Sequence, residues 1–146
     1  MINAVITKLT NAQLDGLPLF SKVEEAIDLS SSMKGRLKPS PVAFVIEISR
    51  RPGNNNRDMG PALQEVTTTI GVVIGISKFN DPQGVKAKLA VAPILAETRK
   101  ALFGFKPTDD HASLLLAAAD TVGVTEHALW QLERFTTTHL EEANNV

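Results

Sequence analysis

The sequence contains no cysteine and no tyrosine, and only one tryptophan. Without cysteine there is no disulfide framework and no thiolate ligand for zinc. With Trp130 alone and no tyrosine, a stacking platform for single-stranded nucleic acid is poorly provided. Charge of either sign is not in excess. Fifteen Lys and Arg against sixteen Asp and Glu give a formal net charge of -1, so no global field draws the chain onto nucleic acid or an anionic membrane. Long apolar runs are also missing. The longest, Ile70 to Ile76, falls far short of the roughly 20 helical residues that cross a bilayer. The N-terminus, Met1-Ile2-Asn3-Ala4-Val5-Ile6-Thr7-Lys8, lacks the basic-then-apolar order of a secretory leader. A soluble protein that works where it is made is expected.

Signatures of chemistry are absent as well. There is no HExxH, no GxSxG and no GxxxxGK[ST] in the chain, so metalloprotease, nucleophile-elbow and phosphate-cradle readings have no support. His111, His127 and His139 show no ligand spacing. Asp109-Asp110-His111 follows a Pro-Thr turn, where aspartates serve capping and solvation; a metal role would need distant partners. No catalytic residue, metal or cofactor is expected. A small enzymatic or ligand-binding domain would instead require convergent polar groups around a concave pocket.

What is present describes one folded unit. A chain of 146 residues that is 43% hydrophobic and 21% charged suits a single domain spanning residues 1–146. Ile2, Val5, Ile6 and Leu9 share one helical stripe, and Asp15-Gly16-Leu17-Pro18 is expected to end that helix. Lys22 to Asp28 reads as a short extended run, with Val23 and Ile27 on one face. Ser30 to Pro41 reads as a loop. Val42 to Ser49 is the clearest strand: Val42, Phe44, Ile46 and Ile48 alternate with Ala43, Val45, Glu47 and Ser49, which predicts one packed and one partly exposed face.

Arg50 to Pro61 reads as a long polar connection, free of regular structure until assembly orders it. Leu63 to Ser77 follows as one long bent strand or two strands. Ile70, Val72, Ile74 and Ile76 line one of its faces, and Thr69, Gly71, Val73 and Gly75 the other, where glycines admit close packing across a sheet. A helix is predicted from an Asp81 N-cap with Pro82 in its first turn, kinked or divided at Pro93 and ended by Gly104. After Leu114-Leu115-Leu116 comes a last strand, Ala128 to Thr138, and a frayed tail from Glu141. The order helix, strands, helix, strands predicts an α+β fold: an antiparallel-dominated sheet packed by an N-terminal helix and a longer central one.

Arg50, Arg51 and Arg57 flank the asparagine-rich stretch, and Lys34, Arg36 and Lys38 precede the strand at Val42. These residues suit solvated or partner-facing loops, with phosphate contact as the rival reading. The order of segments then becomes informative. The Pro-flanked strand Pro39-Ser40-Pro41-Val42-Ala43-Phe44-Val45-Ile46 is followed by Thr67-Thr68-Thr69-Ile70-Gly71-Val72-Val73-Ile74. Next come a helix end, Arg99-Lys100-Ala101-Leu102-Phe103-Gly104-Phe105-Lys106-Pro107, and a last strand with Trp130-Gln131-Leu132-Glu133-Arg134-Phe135. In this order the chain resembles the small bacteriophage tail terminator proteins over nearly its entire length, the Ala-Leu-x-Gly-aromatic-x-Pro piece being most distinctive.

That resemblance implies a structural virion protein at the tail–neck junction, assembled in the host cytoplasm as a homo-hexameric ring. One ring face would meet the tail tube protein and the other a head-completion or connector protein. DNA would pass through the lumen without sequence-specific binding. The candidate assembly-interface residues are Arg50, Arg51, Asn54, Asn55, Asn56, Arg57 and Asp58. Alternatives of similar texture are another neck or head–tail connector protein, a minor tail protein, or a small DNA-binding module.

Overall fold

The structure, a computed structural model, describes residues 1–33, 40–77, 83–125 and 127–144. The basic residues Lys34, Arg36 and Lys38 and the expected helix start at Asp81 and Pro82 lie outside the described residues. Helix α1, Ile2–Thr10, buries Val5 and Leu9, with Ile2 and Ile6 against the margin of the same core, as the stripe requires. It ends before Asp15. Asp15 and Gly16, with φ of 53° and 78°, instead make the two-residue turn between β1 (Gln13–Leu14) and β2 (Leu17–Pro18). Asp-Gly accommodates such positive φ pairs in tight hairpins.

Strand β3 covers only Lys22–Glu25. Val23 packs on the core, while Ile27 is 92% exposed, so the two do not share a buried face. The chain bends at 26–28 and forms the short α2, Leu29–Ser32, at the start of the expected loop. Four long strands and a helix build the rest: β4 (Val42–Asn55), β5 (Leu63–Ser77), α3 (Val85–Leu102), β6 (Leu115–Val124) and β7 (Ala128–Glu142). The five-stranded sheet has the order β3-β4-β5-β7-β6. Every pair is antiparallel except β3 with β4. The fold is α+β, with an antiparallel-dominated sheet packed by α1 and α3.

β5 is one uninterrupted strand. Its β-branched run from Val66 to Ile76 suits a pleated, buried surface, and it pairs with β7 from Leu63↔Glu142 to Ser77↔Ala128 without a register break. On the helix side, Ala43, Val45, Ile70, Val72, Ile74 and Phe135 form the main core with α1 and α3. The opposite side is not simply exposed. Val42, Ile46, Val73, Trp130 and Leu132 form a second cluster, against which Ala26, Leu29 and Met33 pack. Both faces of early β4 are therefore buried: residues 26–33 cover the Val42 and Ile46 side, and the helices cover the Ala43 and Val45 side that was expected to be partly exposed.

Gly71 and Gly75 lie on this second side, where the missing side chains leave room for neighbours. A Cβ on Gly71 would come within 2.8 Å of Leu132 Cδ1 and 2.9 Å of Ile48 Cδ1. One on Gly75 would overlap the six-membered ring of Trp130. The glycines thus admit side chains of the same sheet rather than another element.

α3 begins at Val85, preceded by Gly84 in a left-handed conformation, and runs through Pro93 without being divided. Pro93 is exposed, so water can satisfy the carbonyl one turn back that its missing N–H leaves free. Phe103 closes the helix and Gly104, at φ 83°, turns the chain away. Arg99 Nη2 then donates to Glu133 Oε1 at 2.7 Å, and Glu133 is almost wholly buried. This pair ties α3 to β7, since a buried carboxylate without its partner would be strongly unfavourable.

Two segments depart from expectation. The stretch Arg50–Asn55 is strand, paired with β5 through Asn55↔Gln64, and the polar connection shrinks to residues 56–62. β6 is a full ten-residue strand, and β7 runs past Thr138 to Glu142, so Glu141 and Glu142 pair with Gln64 and Leu63 instead of fraying. In β4 the register shifts between Glu47 and Ser49, leaving Ile48 as an extra residue.

The glycine packing yields a test. Gly75→Ala is expected to destabilise the fold by about 1–3 kcal/mol, the usual effect of overfilling a close-packed site. A urea unfolding midpoint equal to that of the wild type would contradict the packing described.

Candidate assembly surface

Beyond the core, β4, β5 and β7 continue together as a three-stranded arm formed by residues 49–55, 63–69 and 136–142. The candidate residues divide between its parts. Arg50, Arg51, Asn54 and Asn55 lie in β4, while Asn56, Arg57 and Asp58 lie in the hairpin tip. The structure brings them together along one arm, as strand and turn rather than as a loop.

Asn55 organises the tip. Its Oδ1 accepts from the backbone N–H of Arg57 at 3.1 Å and of Leu63 at 3.0 Å, and its Nδ2 donates to the Arg57 carbonyl at 3.0 Å. Such side-chain bonds to nearby backbone let asparagine stand in for a turn. The Asn56 N–H donates to the Leu63 carbonyl at 2.7 Å. Gly60, at φ 83°, supplies the one left-handed step. Met59 projects from the tip, 88% exposed.

The arginines are not a free positive patch. Arg57 pairs with Glu142 at 2.8 Å and Arg50 with Glu47 at 2.7 Å. Glu65, Glu141 and Asp58 add negative charge to the same arm. Mixed charges of this kind suit a polar protein contact and weaken the case for a phosphate-binding stripe.

At the base of the arm, on the helix side, lies an open groove lined by Arg50, Lys106, Asp109, Asp110, His111 and His139 among others. Here the fold joins what sequence spacing kept apart. His111 and His139 form an isolated bridge and their rings lie 4.7 Å apart, centroid to centroid. His111 Nδ1 is 2.6 Å from Thr108 Oγ1, and His139 Nε2 is 2.9 Å from Glu141 Oε1. The Thr108 hydroxyl also accepts from the Asp110 N–H, so the Pro-Thr-Asp-Asp turn serves local hydrogen bonding. Among the described residues, no group of three or more His, Asp or Glu is placed to hold a metal ion. The described helices include none long and apolar enough to cross a membrane.

The arm gives this α+β subunit a long polar surface of mixed charge, built from β4, β5 and β7. The family model described as phage tail terminator protein matches residues 2–145, nearly the whole chain, so the chain belongs to the phage tail terminator family. It is accordingly a structural protein of a bacteriophage tail. No individual curated protein matches it.

Two measurements probe this surface. Asn55→Ala removes three hydrogen bonds, each worth about 0.5–1.5 kcal/mol net. Faster amide exchange at Arg57 and Leu63 is expected, with β7 protection unchanged at Leu132; unchanged exchange at the tip would remove Asn55 from this role. The second concerns pH. His111 titrates below its ordinary value of 6.5, chiefly through burial, then through His139 and the N-terminal ammonium, with Asp110 opposing. The folded state therefore takes up this proton less readily than the unfolded chain. Its contribution to stability is full above pH 6.5 and is lost as pH falls from there through the folded value. His111→Gln is expected to show a smaller loss of stability between pH 7.5 and pH 5 than the wild type in urea titrations.

Proposed function

We propose that the protein, acting as one domain over residues 1–146, closes into a homo-hexameric ring that caps the tail tube and ends its polymerisation. The opposite face of the ring then receives a head-completion or connector protein. The virion's tail–neck junction is its place of action, reached after assembly in the host cytoplasm, and DNA passes through the lumen without sequence-specific binding. Family membership supports the tail role; the three-stranded arm is the observation that carries the capping mechanism.

The arm projects a polar hairpin, stiffened by Asn55 and the Arg57–Glu142 pair, past the packed core. A ring bearing such arms has two unlike faces. One carries hairpin tips, with Asn54, Asn56, Asp58 and Met59; the other carries the β6–β7 connection and the start of α3. A surface complementary to the tube end on one side and different on the other halts addition, because the next tube subunit finds no matching face. No bond-making step is needed. Contacts worth only about 1.4 kcal/mol, a tenfold gain each, become a firm cap when several subunits engage at once.

The reading is tested with isolated tail tubes and tube protein. Purified protein is expected to bind one tube end, seen by negative stain, and to stop elongation at a stoichiometry of about one ring per tube. Continued elongation with the protein bound, or binding along the tube wall, would sink it. Replacing Asn54, Asn56 and Asp58 together by alanine is expected to weaken end binding at least tenfold while leaving the unfolding midpoint nearly unchanged.

A further inference from the structure

The two lateral borders of the five-stranded sheet are protected unequally. On one border, β3 is four residues long and carries Lys22, Glu24 and Glu25. Beyond it, residues 46–55 of β4 hold Arg50, Arg51 and two register shifts, together with Pro52, which has no N–H to offer. Short length, charge, proline and bulges keep an edge from recruiting another strand. The other border is β6, which pairs with β7 on one side and with no described strand on its other side.

β6 reads Leu115-Leu116-Ala117-Ala118-Ala119-Asp120-Thr121-Val122-Gly123-Val124, ten residues without proline, and residues 115–121 are exposed. Its single charge, Asp120, is taken up within the subunit by Arg134 at 2.6 Å. Exposed apolar side chains along an unpaired edge mark an interaction surface. That edge has definite ends. At one, Leu114 donates its N–H to the Phe105 carbonyl and accepts from the Gly104 N–H. At the other, the Thr125 N–H donates to the Ala128 carbonyl and the chain turns back into β7. The strand that fits between them has about ten residues and needs no charge to match, because Asp120 is already paired. β6 itself is such a strand.

We propose that two copies of the free protein pair antiparallel through their β6 edges, about a two-fold axis at Ala119. The register supports that axis. Leu115, Ala118, Asp120 and Gly123 stand beside Thr136, Arg134, Leu132 and Trp130, on the side of the sheet that carries Gly71 and Gly75. Ala119 stands beside Glu133, on the helix side. A two-fold axis normal to the sheet keeps each side of one copy level with the same side of the other. With Ala119 opposite its own copy, Ala118 meets Asp120 and Leu115 meets Gly123, so matching sides face each other. Between these two pairs each strand holds one extra residue, at the shifts Leu116/Ala118 and Thr121/Gly123, and the sides stay in step. The ladder ends at Leu115 opposite Gly123, which leaves the bonds of Leu114 to Gly104 and Phe105 in place. Asp120 faces alanine, not another carboxylate. Met33 lies against Gly123, so Leu115 of the second copy arrives beside an apolar side chain. Such a contact is isologous and closes at two copies. The unguarded edge is thereby covered in the free protein without growth into fibres.

The pairing concerns the free protein and does not rest on the ring reading, so its test needs no tail tubes. Sedimentation of the wild type is expected to show a dimer that dissociates on dilution. The absence of cysteine makes crosslinking clean. Ala119→Cys is expected to give a disulfide-linked dimer on mild oxidation, since directly opposed residues of an antiparallel pair have Cβ atoms about 4.5–5.5 Å apart. Glu24→Cys, on the β3 edge, is expected to stay unlinked. Replacing exposed Leu115 and Leu116 together by lysine is expected to raise the dimer dissociation constant at least tenfold with the circular dichroism retained. A wild type that sediments as a monomer at every concentration would overturn the proposal. A dimer that Ala119→Cys fails to link, or that links through Glu24→Cys instead, would place the contact elsewhere and overturn it too. Unchanged affinity in the double lysine variant would remove β6 from the interface.

Discussion

The fold depends on β5 being hydrogen-bonded along both of its sides. Fifteen residues of backbone in the middle of a sheet need partners on each flank, because buried amides left without them are strongly unfavourable. That requirement recruits β4 and β7 over a length no single core would demand. It also extends the ladder toward the arm, where Val66, Thr68 and Thr137 are still buried on the helix side and the tip beyond them is exposed. The arm is thus held mainly by backbone pairing and by short polar contacts, while the core is held by apolar packing on two sides of the same sheet.

What could be read from the residues follows this division. Where side chains decide structure, the pattern was legible. The Ile2, Val5, Ile6, Leu9 stripe gave α1, the β-branched run gave β5, and Gly104 marked the end of α3. Gly71 and Gly75 of β5 mark close packing within the sheet. Where a partner strand decides structure, the pattern was silent. Arg50-Arg51-Pro52-Gly53-Asn54-Asn55 is a poor strand sequence by itself, yet β5 supplies the ladder and overrides it. β6 failed for the opposite reason: neither face of Leu115–Ala119 is buried, so no alternation marks it, and alanine favours helix over strand.

The candidate site was legible in part. Arg50 through Asp58 do cluster, though as an arm. The pairing of Arg57 with Glu142 and the approach of His111 to His139 depend on β7 returning beside β5, so no local spacing announced either. The same return neutralises charge. Arg50 and Arg57, which look available to phosphate in sequence, have carboxylates beside them in the fold.

The extra residue in β4 has an outcome of its own. Side chains alternate along a strand, so one inserted residue swaps the two sides from that point onward. Before Ile48, odd-numbered residues such as Val45 and Glu47 share the helix side with Ile70 and Val72. After it, Ser49 pairs with Thr69 and Arg50 with Thr68, so even numbers take over that side. Deleting Ile48 would therefore leave Arg50 opposite Thr68 and Arg51 opposite Thr67, and would remove only the bend that the extra residue places between the core and the arm.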